Sequence, residues 1–235
     1  MRRRRGGAGD GTDKKASSGM KIDVLCSNEH HPVNSCLRAW VKERATQYEV
    51  ALLHDKNQLI SGDILFLVSC TELISKSIRN SYSHCIVLHA SDLPEGRGWS
   101  PLVWSILEGK ATITVSALDA EDHVDSGAIW AKMDVNIAPH ELHDEINESL
   151  FRTEIALLDI VMTMVQRGET PSPQPETAAS YYPRRAPADS ELDPERSLVE
   201  QFNKIRVCDP ERYPAFFRLH GHTYSITLRK VPIDD

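Results

Sequence analysis

Two groups of side chains in this sequence have the types and spacing for acid–base chemistry. The first is the run from His89 to Pro101, where His89, Ser91 and Arg97 stand among Leu93, Pro94 and Gly98. An imidazole can take up a proton and return it near neutral pH, which is what a group relaying protons must do. The second is His123-Val124-Asp125-Ser126-Gly127, whose carboxylate can orient such an imidazole and support the charge it gains. Each residue also has a plainer reading: His89 as a satisfied structural histidine, Asp125 as the opener of an Asx-turn, Arg97 as a loop-fixing residue bonded to backbone carbonyls. Taken as a pair, His89 and Asp125 favour the chemical reading.

Other clusters are weaker. His30 and His31 read as loop surface before a ligand site, and the loop Cys26 to Pro32 that holds them contains no glycine. A dinucleotide site there needs glycines for the tight turn and for close approach of the pyrophosphate, so a nicotinamide dehydrogenase is not expected. His140 and His143 are three apart beside Glu141 and Asp144; a solvated helix start explains them better than a metal, and no metal is expected. Tyr181, Tyr182, Arg184 and Arg185 read as an exposed basic turn, with closure over a phosphate-bearing acceptor as the alternative. The five cysteines, Cys26, Cys36, Cys70, Cys85 and Cys208, form no C-x-x-C pair and read as small hydrophobes in a reducing compartment, pointing to the cytoplasm.

The elements that must position these groups follow from hydrophobic patterning. From Met20, short apolar runs alternate with amphipathic segments: Ile22–Cys26, a helix over 34–44, 48–53, 64–68, a helix over 71–79, then 84–88, a helix over 101–108, 112–118 and 128–135. A long helix is expected from Pro139 to about Gln166, with apolar residues at helical spacing. Strand–helix alternation of this kind predicts an α/β fold with an open, twisted, mostly parallel sheet, whose ligands sit beyond the carboxyl ends of the strands. The prolines between Thr170 and Pro175 cannot continue the helix. The expected divisions are therefore 1–19 as a disordered extension or tag, with a nucleic-acid arm as the functional alternative, 20–168 as a catalytic domain, 169–180 as a linker and 181–235 as a small α+β C-terminal extension. In that extension a helix is expected over 196–203 and a hairpin from 216 to 228, at a subunit contact or packed on the main domain.

The His89 run resembles the signature of formyltransferases that use 10-formyltetrahydrofolate, N-x-H-x-S-L-L-P-x-x-R-G with a proline three residues on. The matches are His89, Ser91, Leu93, Pro94, Arg97, Gly98 and Pro101, and the family's D-x-G appears as Asp125-Ser126-Gly127. The resemblance covers about Met20 to Val165 and implies a Rossmann-like formyltransferase core. It further implies 10-formyltetrahydrofolate as formyl donor and catalytic roles for His89 and Asp125. Folate contacts are implied for Ser69, Cys70, Ser91, Leu93, Pro94, Arg97, Gly98 and Asp122. One position departs. The family's asparagine, which donates a hydrogen bond to the formyl oxygen, falls on Val87, and the leucine after the serine falls on Asp92. Loss of one such donor typically costs about 10²–10³ in turnover.

Charge narrows the acceptor. The 235 residues carry a net charge of −7. Six basic residues (Arg2 to Arg5, Lys14, Lys15) and two acidic ones (Asp10, Asp13) give the first nineteen residues +4, leaving −11 for the rest. An acidic body is a poor partner for nucleic acid, and no apolar run is long enough to span a membrane. The expected acceptor is a small amine, by resemblance a nucleotide-linked amino sugar, and a homodimer is expected. The alternatives are a folate-binding protein with impaired catalysis, a 10-formyltetrahydrofolate hydrolase, and an enzyme like methionyl-tRNA formyltransferase.

Overall fold

A computed structural model describes residues 19–176 and 179–231; the expected extension over 1–19 lies outside these but for Gly19. The chain builds β1 (Lys21–Leu25), α1 (Asn34–Arg44), β2 (Glu49–Leu53), β3 (Gly62–Leu67), α2 (Lys76–Arg79), β4 (Tyr82–His89), β5 (Arg97–Gly98), α3 (Pro101–Leu107), β6 (Thr112–Asp119), β7 (Ile129–Asn136), α4 (His143–Gln166), β8 (Tyr181–Tyr182), α5 (Leu198–Arg206), β9 (Ala215–Leu219) and β10 (His222–Ile226). Six strands form one sheet in the order β2-β1-β3-β4-β6-β7. β2, β1, β3 and β4 pair in parallel, whereas β6 runs antiparallel to both neighbours. The expected mostly parallel α/β sheet is therefore present.

The continuous apolar runs of β1, β3 and β4 are buried on both faces, as strands covered on two sides require. Ile22, Val24, Ile64, Phe66, Ile86 and Leu88 join the larger core with residues of α1, α3 and α4. The alternate residues Leu25, Leu65, Leu67 and Cys85 form a smaller cluster on the opposite face, against Ile74 and Ile78 at α2. α1 and α4 are tied together where Trp40 Nε1 and Arg44 Nε both donate to Asp159, at 2.8 and 2.9 Å. Among the described residues no helix is long and apolar enough to cross a membrane.

Two expected helices are shorter than their sequence windows. The helix expected over 71–79 covers only Lys76–Arg79, because Ser75 caps it by accepting from the Ile78 amide. The long helix starts at His143, not at Pro139: Glu141 turns back to accept from the Ala138 amide at 2.8 Å, and Glu145 accepts from the Leu142 amide at 2.9 Å. The helix of the extension covers 198–206. The hairpin β9–β10 is present in antiparallel register and packs Phe217 and Ile226 on Ile205 and Cys208 of its own chain. Asn203 and Arg206 of α5 bond the carbonyls of Ile106 and Ala138, which ties the extension to the sheet domain.

Candidate functional site

Alternation along β4 puts Cys85, Val87 and His89 on one face, with His89 at the strand's carboxyl end. The His89 ring is 8% exposed. Its Nε2 lies 2.8 Å from the Gly96 carbonyl, and since a carbonyl can only accept, Nε2 carries a hydrogen. The other nitrogen, Nδ1, lies 3.6 Å from Asp125 Oδ2. A proton received at Nδ1 therefore faces a carboxylate.

Asp125 sits between β6 and β7 with φ of +54°, a left-handed conformation that aspartate tolerates better than most residues. Its Oδ2 also accepts from the Gly98 amide at 2.8 Å. The glycines of the two motifs have packing reasons. A Cβ on Gly127 would lie 1.9 Å from the Asp119 carbonyl oxygen, and one on Gly98, whose φ is +96°, would lie 2.5 Å from that of Tyr182. Asp125-Ser-Gly127 and Arg97-Gly98 thus fold into two loops that meet at the His89 imidazole.

The remaining expected residues distribute around this pair. Ser91 is buried; its carbonyl accepts from Ser116 Oγ at 2.7 Å, while its own hydroxyl has no partner among the described residues. Leu93 and Pro94 are buried behind it. Asp92, where the family has leucine, points outward and pairs with Lys132. Ser69 and Cys70 lie just past β3, after Val68, and the last pair of β3 with β4 is Leu67 with Val87; Ser69 has φ of +48°. Burial pushes the Cys70 thiol above its ordinary pKa, so it is no nucleophile at neutral pH. Asp122 pairs with Arg79 and is mostly exposed, outside the His89–Asp125 contact. Val87 is half-buried two residues before His89 on the same face.

The Arg97 guanidinium does not bond backbone carbonyls. Its Nη2 donates to Gln174 Oε1 at 2.5 Å and its Nη1 to the Tyr181 hydroxyl at 3.2 Å, while Nε is buried without a partner. Both partners come from beyond α4. The expected linker lies along the sheet domain: Ser172 exchanges two backbone bonds with Ile129, and Gln174 Nε2 donates to the Asp125 and Gly127 carbonyls at 2.8 and 2.9 Å. β8 pairs in parallel with β5, and Ser180 Oγ accepts from the Gly96 amide at 2.8 Å. Sequence reading missed Gln174 and Ser180. The available signal was a single amide side chain between prolines, a pattern that serves a linker equally well.

The other clusters make no second centre. His143 Nε2 bonds Asn147 at 2.9 Å, and among the described residues no three His, Cys, Asp or Glu side chains converge to hold a metal ion. His31 Nδ1 accepts from the Val33 amide and its ring meets the edge of Phe151; burial drives its pKa down to about 4, so it is neutral at pH 7. The Arg184 guanidinium stacks over Trp99, 4.9 Å from the ring centre. All five cysteines are free thiols.

The profile of the family described as formyl transferase matches residues 13–161, well over half of the chain. The chain belongs to the formyl transferase family. Among curated relatives, a methionyl-tRNA formyltransferase from Synechococcus sp. (strain JA-3-3Ab) is 27% identical over 177 residues, covering 74% of this chain and 54% of that protein. The chain spans little more than half the length of the first such relatives. Two solved structures share the formyl transferase fold. A methionyl-tRNA formyltransferase from Clostridium thermocellum superposes with a TM-score of 0.76 at 23% identity, covering 91% of this chain and 94% of that one. A sugar N-formyltransferase from Shewanella sp. FDAARGOS_354 superposes with a TM-score of 0.69 at 18% identity, covering 92% and 99%.

Proposed function

We propose that this protein transfers a formyl group from 10-formyltetrahydrofolate to the amine of a small acceptor, most consistently a nucleotide-linked amino sugar. The observation that carries the reading is the His89–Asp125 contact, built by the two loops that bear the family's motifs. The residues fit a folate donor. Among the described residues the buried Ser91 hydroxyl has no protein partner, and the left-handed turn at Ser69 follows β3, the strand that pairs with β4. Ser69, Cys70, Ser91, Leu93, Pro94, Gly98 and Asp122 would hold it, with Arg97 stiffening the loop. The bound donor supplies a formyl carbon open to attack by an amine.

The chain's own residues then have two tasks. As the new bond from amine nitrogen to formyl carbon replaces the bond from that carbon to the donor nitrogen, His89, fixed through Nε2 on the Gly96 carbonyl, would take up at Nδ1 the proton that the attacking nitrogen sheds. Asp125 supports the resulting charge there, and the proton returns to the departing tetrahydrofolate nitrogen. Loops 91–101 and 120–128 orient the reacting groups and keep water off the pair, consistent with both side chains being 8% exposed. Val87 donates nothing, so the oxyanion relies on other donors or remains less well stabilised than in the family pattern.

The small acceptor is supported by the acidic body and by the near-complete overlay with a sugar N-formyltransferase. A second reading, transfer to methionyl-tRNA, is favoured by the curated relatives and by the 94% coverage of the Clostridium chain. Release of tetrahydrofolate with water alone, with a nucleotide-linked amino sugar and with methionyl-tRNA separates these readings and hydrolysis. The sugar is expected to raise turnover above the water rate and the tRNA is not. His89→Asn is expected to abolish transfer while donor affinity stays within a few-fold, since the imidazole acts on the transition state. Full turnover in that variant would remove His89 from the mechanism.

A further inference from the structure

Residues 171–176 cross the sheet domain at a place where a linker has no need to touch anything. Pro171, Pro173 and Pro175 fix their own φ and remove three backbone donors, which stiffens the segment in an extended form. The Ser172–Ile129 backbone pair pins it at the start of β7. Ser172, Pro173, Pro175 and Glu176 are exposed, whereas Gln174 turns inward. There its amide is fully engaged: the two N–H groups bond the Asp125 and Gly127 carbonyls, and its oxygen accepts from Arg97. The two carbonyls flank Ser126 in the turn that holds Asp125 at positive φ. The Gln174 side chain therefore grips the backbone that aims the Asp125 carboxylate at His89 and at the Gly98 amide. Among the described residues neither carbonyl accepts from a backbone amide, so beside the Ser126 bonds to the His123 carbonyl and the tight packing of Gly127 the Gln174 amide is what holds the turn.

We propose that Gln174 is a positioning residue for the formyl-transfer reaction, acting through Asp125; the proposal rests on the formyltransferase reading above. A wall of about 1 Å misplacement in such a site costs on the order of 10²-fold in rate, and a lost hydrogen-bonded pair leaves two carbonyls to find water. The role divides in two, donation to the Asp125 turn and acceptance from Arg97, and two substitutions separate them. Gln174→Leu removes both. Gln174→Glu keeps the acceptor for Arg97, keeps the size, and removes the donors.

The experiment combines turnover with amide hydrogen exchange at three neighbouring residues of the native chain and both variants. Gly98 bonds the Asp125 carboxylate, whereas Arg97 and Trp99 bond the Ser180 and Tyr182 carbonyls. In both variants Gly98 exchange is expected to quicken about tenfold or more while Arg97 and Trp99 keep native rates. In both, kcat is expected to fall by about 10- to 100-fold with the donor's KM within twofold. Native turnover and native Gly98 protection in Gln174→Glu would overturn the proposal, leaving only the Arg97 pair. Joint loss of protection at all three amides would overturn it as well, since Gln174 would then be a tether for the whole segment. If the native protein transfers no formyl group to any acceptor, the selective Gly98 response still tests the positioning, and the failure belongs to the formyltransferase reading alone.

Discussion

At the scale of single residues, the site turns on a histidine whose two ring nitrogens face different partners and on a valine that faces the same way. The meeting of His89 and Asp125, at 3.6 Å, was legible through the resemblance of their two motifs to those of the family. Gln174 was not legible. Its partners lie 47 to 77 residues earlier, and nothing in a proline-rich run tells which polar side chain will find them. Arg97 was readable as a loop-fixing residue, but its partners were not, for the same reason of distance along the chain. Val87 permits a direct test. Being half-buried on the His89 face, it stands where the family pattern has a donor, so Val87→Asn is expected to equal or exceed native kcat, by at most about 10²–10³. Steady-state rates with saturating donor check this. A tenfold fall would show that the position packs a wall where an amide has no acceptor.

At the scale of elements, the sheet and the long helix were readable because their periodicities are long and strong, and the starts of α1 and α3 were readable too, while the starts of α2 and α4 were not, because they depend on single caps. Ser75 and Glu145 each decide a terminus with one or two bonds, and hydrophobic spacing carries no information about those. The helical periodicity of α4 also hides an exception. Glu154 lies on its buried face with one carboxyl oxygen lacking any partner, and burial pushes its pKa up to about 8. Its folded pKa is thus above its unfolded value of about 4.5. Between those values the folded state holds a proton that the unfolded chain has released, so stability falls as pH rises through the window, with a limiting slope of about 1.4 kcal/mol per pH unit, and is flat above it. Gln cannot ionise, so Glu154→Gln is expected to gain stability over the native protein at pH 7.5 and little at pH 4.5. Urea unfolding at the two pH values measures the difference, and His31, whose lowered pKa acts in the opposite direction below pH 6.5, is common to both proteins and cancels. An equal effect of the substitution at both pH values would show that Glu154 stays ionised in the fold.

At the scale of the whole molecule, charge separates the proposed acceptors more than the centre does, because the same His89–Asp125 pair would serve an amine on a sugar or on a charged tRNA. Polyanion binding rests on phosphate neutralisation and weakens steeply with salt. Residues 20–235 carry −11, and the +4 of the first nineteen residues is the one concentrated block of positive charge in the sequence. Any association with tRNA should then be carried by Arg2 to Arg5 with Lys14 and Lys15, and not by the surface around the site. Fluorescence anisotropy with labelled tRNA at low salt is expected to show weak binding to the full chain, lost in a chain beginning at Met20. Formyl transfer to a small amine should be the same for both, since those residues carry none of the site's groups. Retained, salt-sensitive tRNA binding by the shortened chain would place basic recognition on the folded body despite its net charge, and would move the acceptor assignment to methionyl-tRNA.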